Sequence, residues 1–209
     1  VAAYQYTSLD FDEYWAVVED GRPTLQAFMA ADDEMIDVNN YEKMADFSWY
    51  VTGDEYHIKS AAQLKAFAIL ATGNNFSGKT IYLDNDIVLN EGNAADWAEN
   101  APADEWIPIG NANTMFEGTF DGQGHTISGL YVSEPTNGLG LFGMVRNATI
   151  KNFKLTNSFI QSMMASVTKD AGNYSNYSYI GAIAAYAASS TIDTVYTDAI
   201  VWNQGEMTG

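Results

Sequence analysis

Apolar residues recur along the second half of this chain at a fixed spacing. Ile127-x-x-Leu130-x-Val132 is followed by Ile150-x-x-Phe153-x-Leu155 and then by Ile192-x-x-Val195-x-Thr197. The last two copies stand 42 residues apart, and Leu141 with Ile183, Gly143 with Ala185, and Thr149 with Thr191 keep that offset. The first two copies stand 23 apart. Short strands that return this way, with turns and no helix between them, predict the coils of a β-solenoid from about residue 76 to 202. Each coil supplies one apolar rung, cannot bury it alone, and stacks on the next. Ile81, Ile87, Phe120, Ile127, Leu130, Leu141, Ile150, Phe153, Ile183, Ile192 and Val195 are the expected inward positions.

The pattern differs before the solenoid. Residues 1–28 read as a β-hairpin segment, with Leu9, Phe11, Trp15, Val17 and Leu25 as its apolar positions and Asp20-Gly21 as its turn. Residues 29–55 have no clean period and read as a linker, and 56–209 as the capped solenoid domain. Ser60-Ala-Ala-Gln63 is a capping box that opens a helix near 61–72. Leu64, Phe67, Ala68 and Ala71 share one face, and Gly73 is the expected left-handed C-cap. Such a helix would plug the first open end of the core. Residues 90–105 form an acidic, Ala-rich excursion, and 161–178 a polar, Tyr-rich insertion.

Composition narrows the partners. The 209 residues carry 27 Asp+Glu against 9 Lys+Arg, a net charge of -18. Nucleic acid and anionic membrane need clustered cations, so neither is an expected partner. No stretch approaches the ~20 apolar residues of a membrane span. The absence of cysteine excludes disulfides and thiolate metal sites. Acidic corners such as Asp84-Asn85-Asp86 and Asp32-Asp33-Glu34 can hold Ca²⁺ loosely, but neither fits the calcium-loop pattern. No cofactor is expected.

The order of the pieces is similar to a known family. Tyr56-His-Ile58-Lys-Ser60-Ala-Ala-Gln63-Leu64 leads to Gly78-Lys79-Thr80-Ile81-Tyr82-Leu83-Asp84-Asn85-Asp86-Ile87, then to Trp106-Ile-Pro108-Ile-Gly110. Phe116-Glu-Gly118-Thr-Phe120-Asp121-Gly122-Gln-Gly124 and Gly138-Leu-Gly140-Leu141-Phe142-Gly143 follow. Together these resemble the GLUG-motif surface proteins of bacteria, over roughly residues 56–202. The resemblance implies an all-β fold, a right-handed parallel β-helix of pectate-lyase-like shape. It also implies a secreted or cell-surface location; the module accompanies immunoglobulin A protease-type peptidases as well. The motif is a structural repeat and carries over no catalytic residue. Gly181-Ala-Ile183-Ala-Ala185 keeps the apolar stripe without the motif's letters, and residues 1–28 resemble a segment that closes such a module.

Candidate chemistry is sparse. Polysaccharide-processing β-helices gather acids and bases on one outer face. Here Asp121 reads as a turn residue, and His125 is the one histidine expected in the coils. Arg146 and Lys151 have no acidic partner at a matched position, and His57 has no metal-ligand spacing. No catalytic or metal site is expected. Trp97, Tyr174, Tyr177 and Tyr179 lie off the rung spacing and are the candidate contacts for a host glycan or protein.

The expected role is a non-catalytic structural or adhesive module. A carbohydrate-binding or polysaccharide-processing β-helix is the alternative. Its partners are adjacent repeats of one polypeptide or neighbouring copies, the latter joined head-to-tail in a filament through Leu9, Phe11, Trp15, Val17 and Leu25.

Overall fold

In the computed structural model, residues 45–135, 138–163 and 179–203 are described in full. Four further strands are described as backbone: β1 (Trp15–Val17), β2 (Pro23–Leu25), β12 (Lys169–Asp170) and β13 (Asn173–Tyr174). Strand dominates, and the helix Ala61–Leu70 is the one α-helix among the described residues. The hairpin expected near the N-terminus has its two strands: β1 and β2 pair antiparallel, with Trp15 opposite Leu25.

The remaining pairs that involve fully described strands are parallel and join successive passes of the chain. β3 (Glu55–Ile58), β4 (Thr80–Leu83), β6 (Thr119–Asp121), the first half of β10 (Thr149–Thr156) and β15 (Thr191–Thr197) lie side by side. β5 (Ile87–Val88), β7 (Thr126–Ser128) and the second halves of β10 and β15 form the next wall. β8 (Tyr131–Glu134), β11 (Phe159–Ser162) and β16 (Ile200–Asn203) form another, and β9 (Phe142–Arg146) with β14 (Ala184–Ala188) a fourth.

Parallel pairing in register makes columns of one residue type. Tyr56, Ile81, Phe120, Ile150 and Ile192 form one apolar column. Ile87, Ile127 and Leu155 form a second, and Val132, Ile160 and Val201 a third. Eight of the expected inward residues, from Ile81 through Phe153, are buried in one core. Ile183 and Val195 are partly buried. Ile192 is a correction: it sits in register on Ile150 but is 45% exposed, because it belongs to the last rung and nothing among the described residues covers it.

The 42-residue offset is the observed register, with Thr149 opposite Thr191 and Phe153 opposite Val195. The 23-residue offset is not. Ile150 pairs with Phe120, and Ile127 with Leu155. Between the paired positions Asp121 and Thr126 the earlier pass carries the extra corner residues Gln123 and Gly124, which a constant spacing cannot anticipate.

The corners are made by left-handed residues. Asn147, Asn152 and Asn157 have φ of 51°, 60° and 46°, and in the next pass Ser189 and Thr194 have 50° and 53°. Asparagine tolerates that region because its short amide bonds locally. At Gly122 the need is for space, since a Cβ there would run into the Phe153 side chain and the Asn152 carbonyl.

The helix closes the first end of the core. Ser60 Oγ accepts from the Gln63 N–H at 3.3 Å and Gln63 Oε1 accepts from the Lys59 N–H at 2.8 Å, so the capping box forms with its return bond one residue earlier. Phe67 meets Phe76, Phe116 and Phe120 at centroid distances of 5.1, 5.7 and 6.2 Å. Gly73 is not a left-handed cap: the helix ends at Leu70 with Ala71 at φ -69°. Of the stretch expected as a linker, residues 45–55 are described. Ala45 and Phe47 are buried and Trp49 and Tyr50 pack on Tyr56, because the end of the core under β3 needs cover that the helix does not supply.

Candidate functional site

Alternation along each strand sends one residue inward and the next outward. On the wall β3–β4–β6–β10–β15 the column beside the apolar one is His57, Tyr82, Asp121, Lys151 and Asp193, one per strand. The first two rings stack at 5.1 Å. Lys151 Nζ lies 3.2 Å from Asp121 Oδ2. A second row runs along the corner. His57 Nδ1 is 2.8 Å from Asp84 Oδ1, Gln123 Nε2 donates to the same oxygen at 3.0 Å, and Asn152 Nδ2 donates to Asp121 Oδ1 at 3.0 Å. Beyond the corner, Asp86 accepts from the Thr126 N–H at 2.8 Å and lies 3.1 Å from His125 Nδ1.

These contacts correct the sequence reading of the charges. Lys151 pairs with Asp121, and Arg146 Nε with Glu117 Oε1 at 3.0 Å. His57 belongs to the same stacked wall as the coils and has Asp84 as partner. The partners come from earlier passes, 29 or more residues away for both cations, so nothing local in the sequence announces them. Asp121 does make the turn expected of it, accepting from the Gln123 N–H at 3.0 Å.

The carboxylates of this face are held ionised. Burial works against Asp121, but the Gln123 N–H, the Asn152 amide and Lys151 outweigh it and keep its pKa below the usual value. Burial likewise opposes Asp84, and the bonds from His57 and Gln123 with the charge of Lys59 lower it. Asp86 is lowered first by the Thr126 N–H and then by His125.

An open groove of about 770 Å³ follows the corner, lined by Asp121, Gln123, Asn152, Lys154, Thr194 and Tyr196 among others. Lys154 and Tyr196 are register partners on neighbouring strands, and the Tyr196 side chain is 56% exposed. A groove with an exposed ring, an ammonium and amides can take a polar, extended ligand. Neither Lys154 nor Tyr196 was singled out by the sequence; the signal was their 42-residue offset.

The expected contact residues fall elsewhere. Trp97 is a correction: only 4% exposed, it meets Tyr131 edge-on at 6.1 Å in a small second core with Ala94 and Phe159. The excursion folds back on the coils because Asn157 holds it, donating to Gly92 O and accepting from the Ala94 N–H, both at 2.9 Å. Tyr179 is exposed and lies 5.7 Å from Tyr186. Tyr174 lies in β13, paired with Lys169. Tyr177, Leu9 and Phe11 lie outside the described residues, and Trp15, Val17 and Leu25 stand in the β1–β2 pair. Among the described residues no group of His, Asp and Glu could hold a metal ion.

A second surface is the last rung. Ile192, Ile200, Val201 and Trp202 are exposed there, and among the described residues β15 pairs with β10, β16 with β11 and β14 with β9.

No family model and no solved structure matches the chain. A protein of Evansella cellulosilytica described as "Putative Gly-rich membrane protein" is 34% identical over 77 residues, 36% of this chain. The matched part is 9% of that protein's length. No described helix here is long and apolar enough to cross a membrane, which leaves membrane-spanning strands untouched.

Proposed function

We propose that this chain is a non-catalytic structural and adhesive module of a secreted or cell-surface bacterial protein, built as a right-handed parallel β-helix of the GLUG type. The supporting observation is the ladder of outward carboxylates. Asp84, Asp86 and Asp121 are each tied to a cation or amide donor of a neighbouring pass and each held below the usual carboxylate pKa. A general acid needs the opposite, a carboxyl kept protonated near neutral pH. Here the charges cross-link neighbouring strands, which is what a scaffold uses them for. The module takes no cofactor, binds Ca²⁺ at most loosely, and neither enters a membrane nor binds nucleic acid.

The groove favours a second reading, a carbohydrate-binding β-helix. Tyr196 offers a ring face, Lys154 a donor, and the surrounding amides acceptors, while the -18 net charge disfavours polyanions. One experiment separates the readings. The purified chain is incubated with neutral and acidic polysaccharides, and bound ligand and new chain ends are both measured. The structural reading expects neither retention nor turnover in the groove. Retention of a neutral glycan that is lost in Tyr196→Ala supports the carbohydrate reading. Turnover lost in Asp121→Asn or His125→Ala overturns the non-catalytic one.

A further inference from the structure

The groove at the corner between the first wall and the next is a step in the stack. In the pass of β6 and β7, Gly122, Gln123, Gly124 and His125 separate Asp121 from Thr126. In the next pass Asn152 and Phe153 alone separate their register partners Lys151 and Lys154. Thr194 and Val195 do the same between Asp193 and Tyr196. One long corner therefore stands beside two tight ones, and the groove runs from Gln123 and Gly124 to Tyr196.

The long corner is a braced lip. The His125 N–H donates to Gly122 O at 2.8 Å, and Gln123 and Gly124 between them have φ of 52° and 87°. Two left-handed central residues make a tight turn. A Cβ built on Gly124 would meet nothing among the described residues within 4 Å, so this tip borders open space. The side facing the preceding pass is filled. There Gln123 Nε2 donates to Leu83 O at 3.1 Å and to Asp84 Oδ1 at 3.0 Å. The Gly124 N–H donates to Asn152 O at 2.6 Å on the following pass. A lip held from both neighbours needs little further ordering when a ligand meets it.

Beyond the lip the floor repeats. Asn152 and Thr194 share the left-handed corner position, and Lys154 and Tyr196 are register partners. Each pass advances by about 4.8 Å, the spacing of paired strands. A pyranose ring with its bridging oxygen is about as long as that step, whereas an extended peptide repeats every ~3.3 Å and falls out of step. The groups suit hydroxyls: an amide on Asn152, a hydroxyl on Thr194, an ammonium on Lys154, and a Tyr196 ring more than half exposed. Charge turns acidic chains away. Asp121 holds Lys151 at 3.2 Å, Asp86 lies within Coulombic reach of Lys154, and Asp193 stands beside Lys151 in register. Carboxylates outnumber ammoniums at this corner of a chain with net charge -18.

We propose, on the carbohydrate reading of this groove, that it is an end-binding site for a neutral, unbranched glycan. The terminal ring rests against Gln123, Gly124 and the pass of Lys154, and the next ring lies on Tyr196. Further tight-cornered passes would lengthen the groove without moving its closed end.

The test is calorimetric titration of the full 209-residue chain with unbranched β-linked oligosaccharides of glucose, xylose and mannose, and with long soluble polymers of the same sugars. The expected result is binding that counts chain ends. At equal ring concentration the polymer binds less in proportion to its length, and blocking one terminus of the oligosaccharide abolishes binding while blocking the other does not. Tyr196→Ala should weaken binding about tenfold, the weight of one aromatic contact. Deleting Gln123 and Gly124 gives this corner the length of its neighbour, and polymer and oligosaccharide should then bind alike per ring. If that variant fails to fold, the blocked oligosaccharides make the same test on the parent. A parent that binds polymer and oligosaccharide alike per ring, and tolerates a block at either terminus, overturns the closed end and leaves the carbohydrate reading standing. Binding of none of these glycans overturns both.

Discussion

Asp84 and Asp121 each join residues from different passes, so their ionisation bears on stability. Both pKa values are depressed in the folded chain. Their contribution is therefore present above the unfolded value of about 3.9 and is lost as pH falls through the lower folded one. Asp84→Asn and Asp121→Asn should flatten the acid limb of the unfolding curve below about pH 4 and cost no more than about 1 kcal/mol each at neutral pH. Urea titrations at a series of pH values would check this; a limb as steep as the parent's would locate the acid sensitivity elsewhere. Gly129 is a harsher case. It has φ of 76°, and a Cβ there would land on the backbone of Asn90. Gly129→Ala should cost several kcal/mol, roughly the overpacking figure of 1–3 kcal/mol plus a left-handed penalty of 1–2 kcal/mol. Thermal melts of the two chains measure it.

At the scale of elements, the helix is the clearest test of how the core is closed. Leu64 and Phe67 are fully buried beneath it. Leu64→Ala and Phe67→Ala should each cost about 2–5 kcal/mol, read as lost denaturant resistance at constant slope. A double variant that melts like the parent would show that the helix is not the closure. The helix was legible because capping and periodicity are local, and so were the strands that alternate between apolar and polar residues. The 42-residue register was legible because Thr191–Thr197 follows Thr149–Leu155 position for position with no residue inserted. The earlier register was not, because Gln123 and Gly124 lengthen a corner without changing any strand. Ion pairs such as Arg146 with Glu117 and the burial of Trp97 depend on which passes become neighbours, and no local pattern records that. The string Asn147, Asn152, Asn157 did carry a readable signal, a left-handed corner every fifth residue.

For the molecule as a whole, Ile192 and Val201 are the exposed members of their columns among the described residues. The lengths of the passes have a consequence of their own. Thr80, Thr119, Thr149 and Thr191 occupy matching places on their strands, so successive passes consume 39, 30 and 42 residues to advance by one strand. Closing a longer excursion costs little, about 0.6 kcal/mol for each doubling of its length. The frame is thus indifferent to what hangs from its corners. Loops between the strands can be lengthened or shortened over evolutionary time while the columns keep their partners. A lineage can then vary what it displays to a changing environment without reinventing the support that carries it.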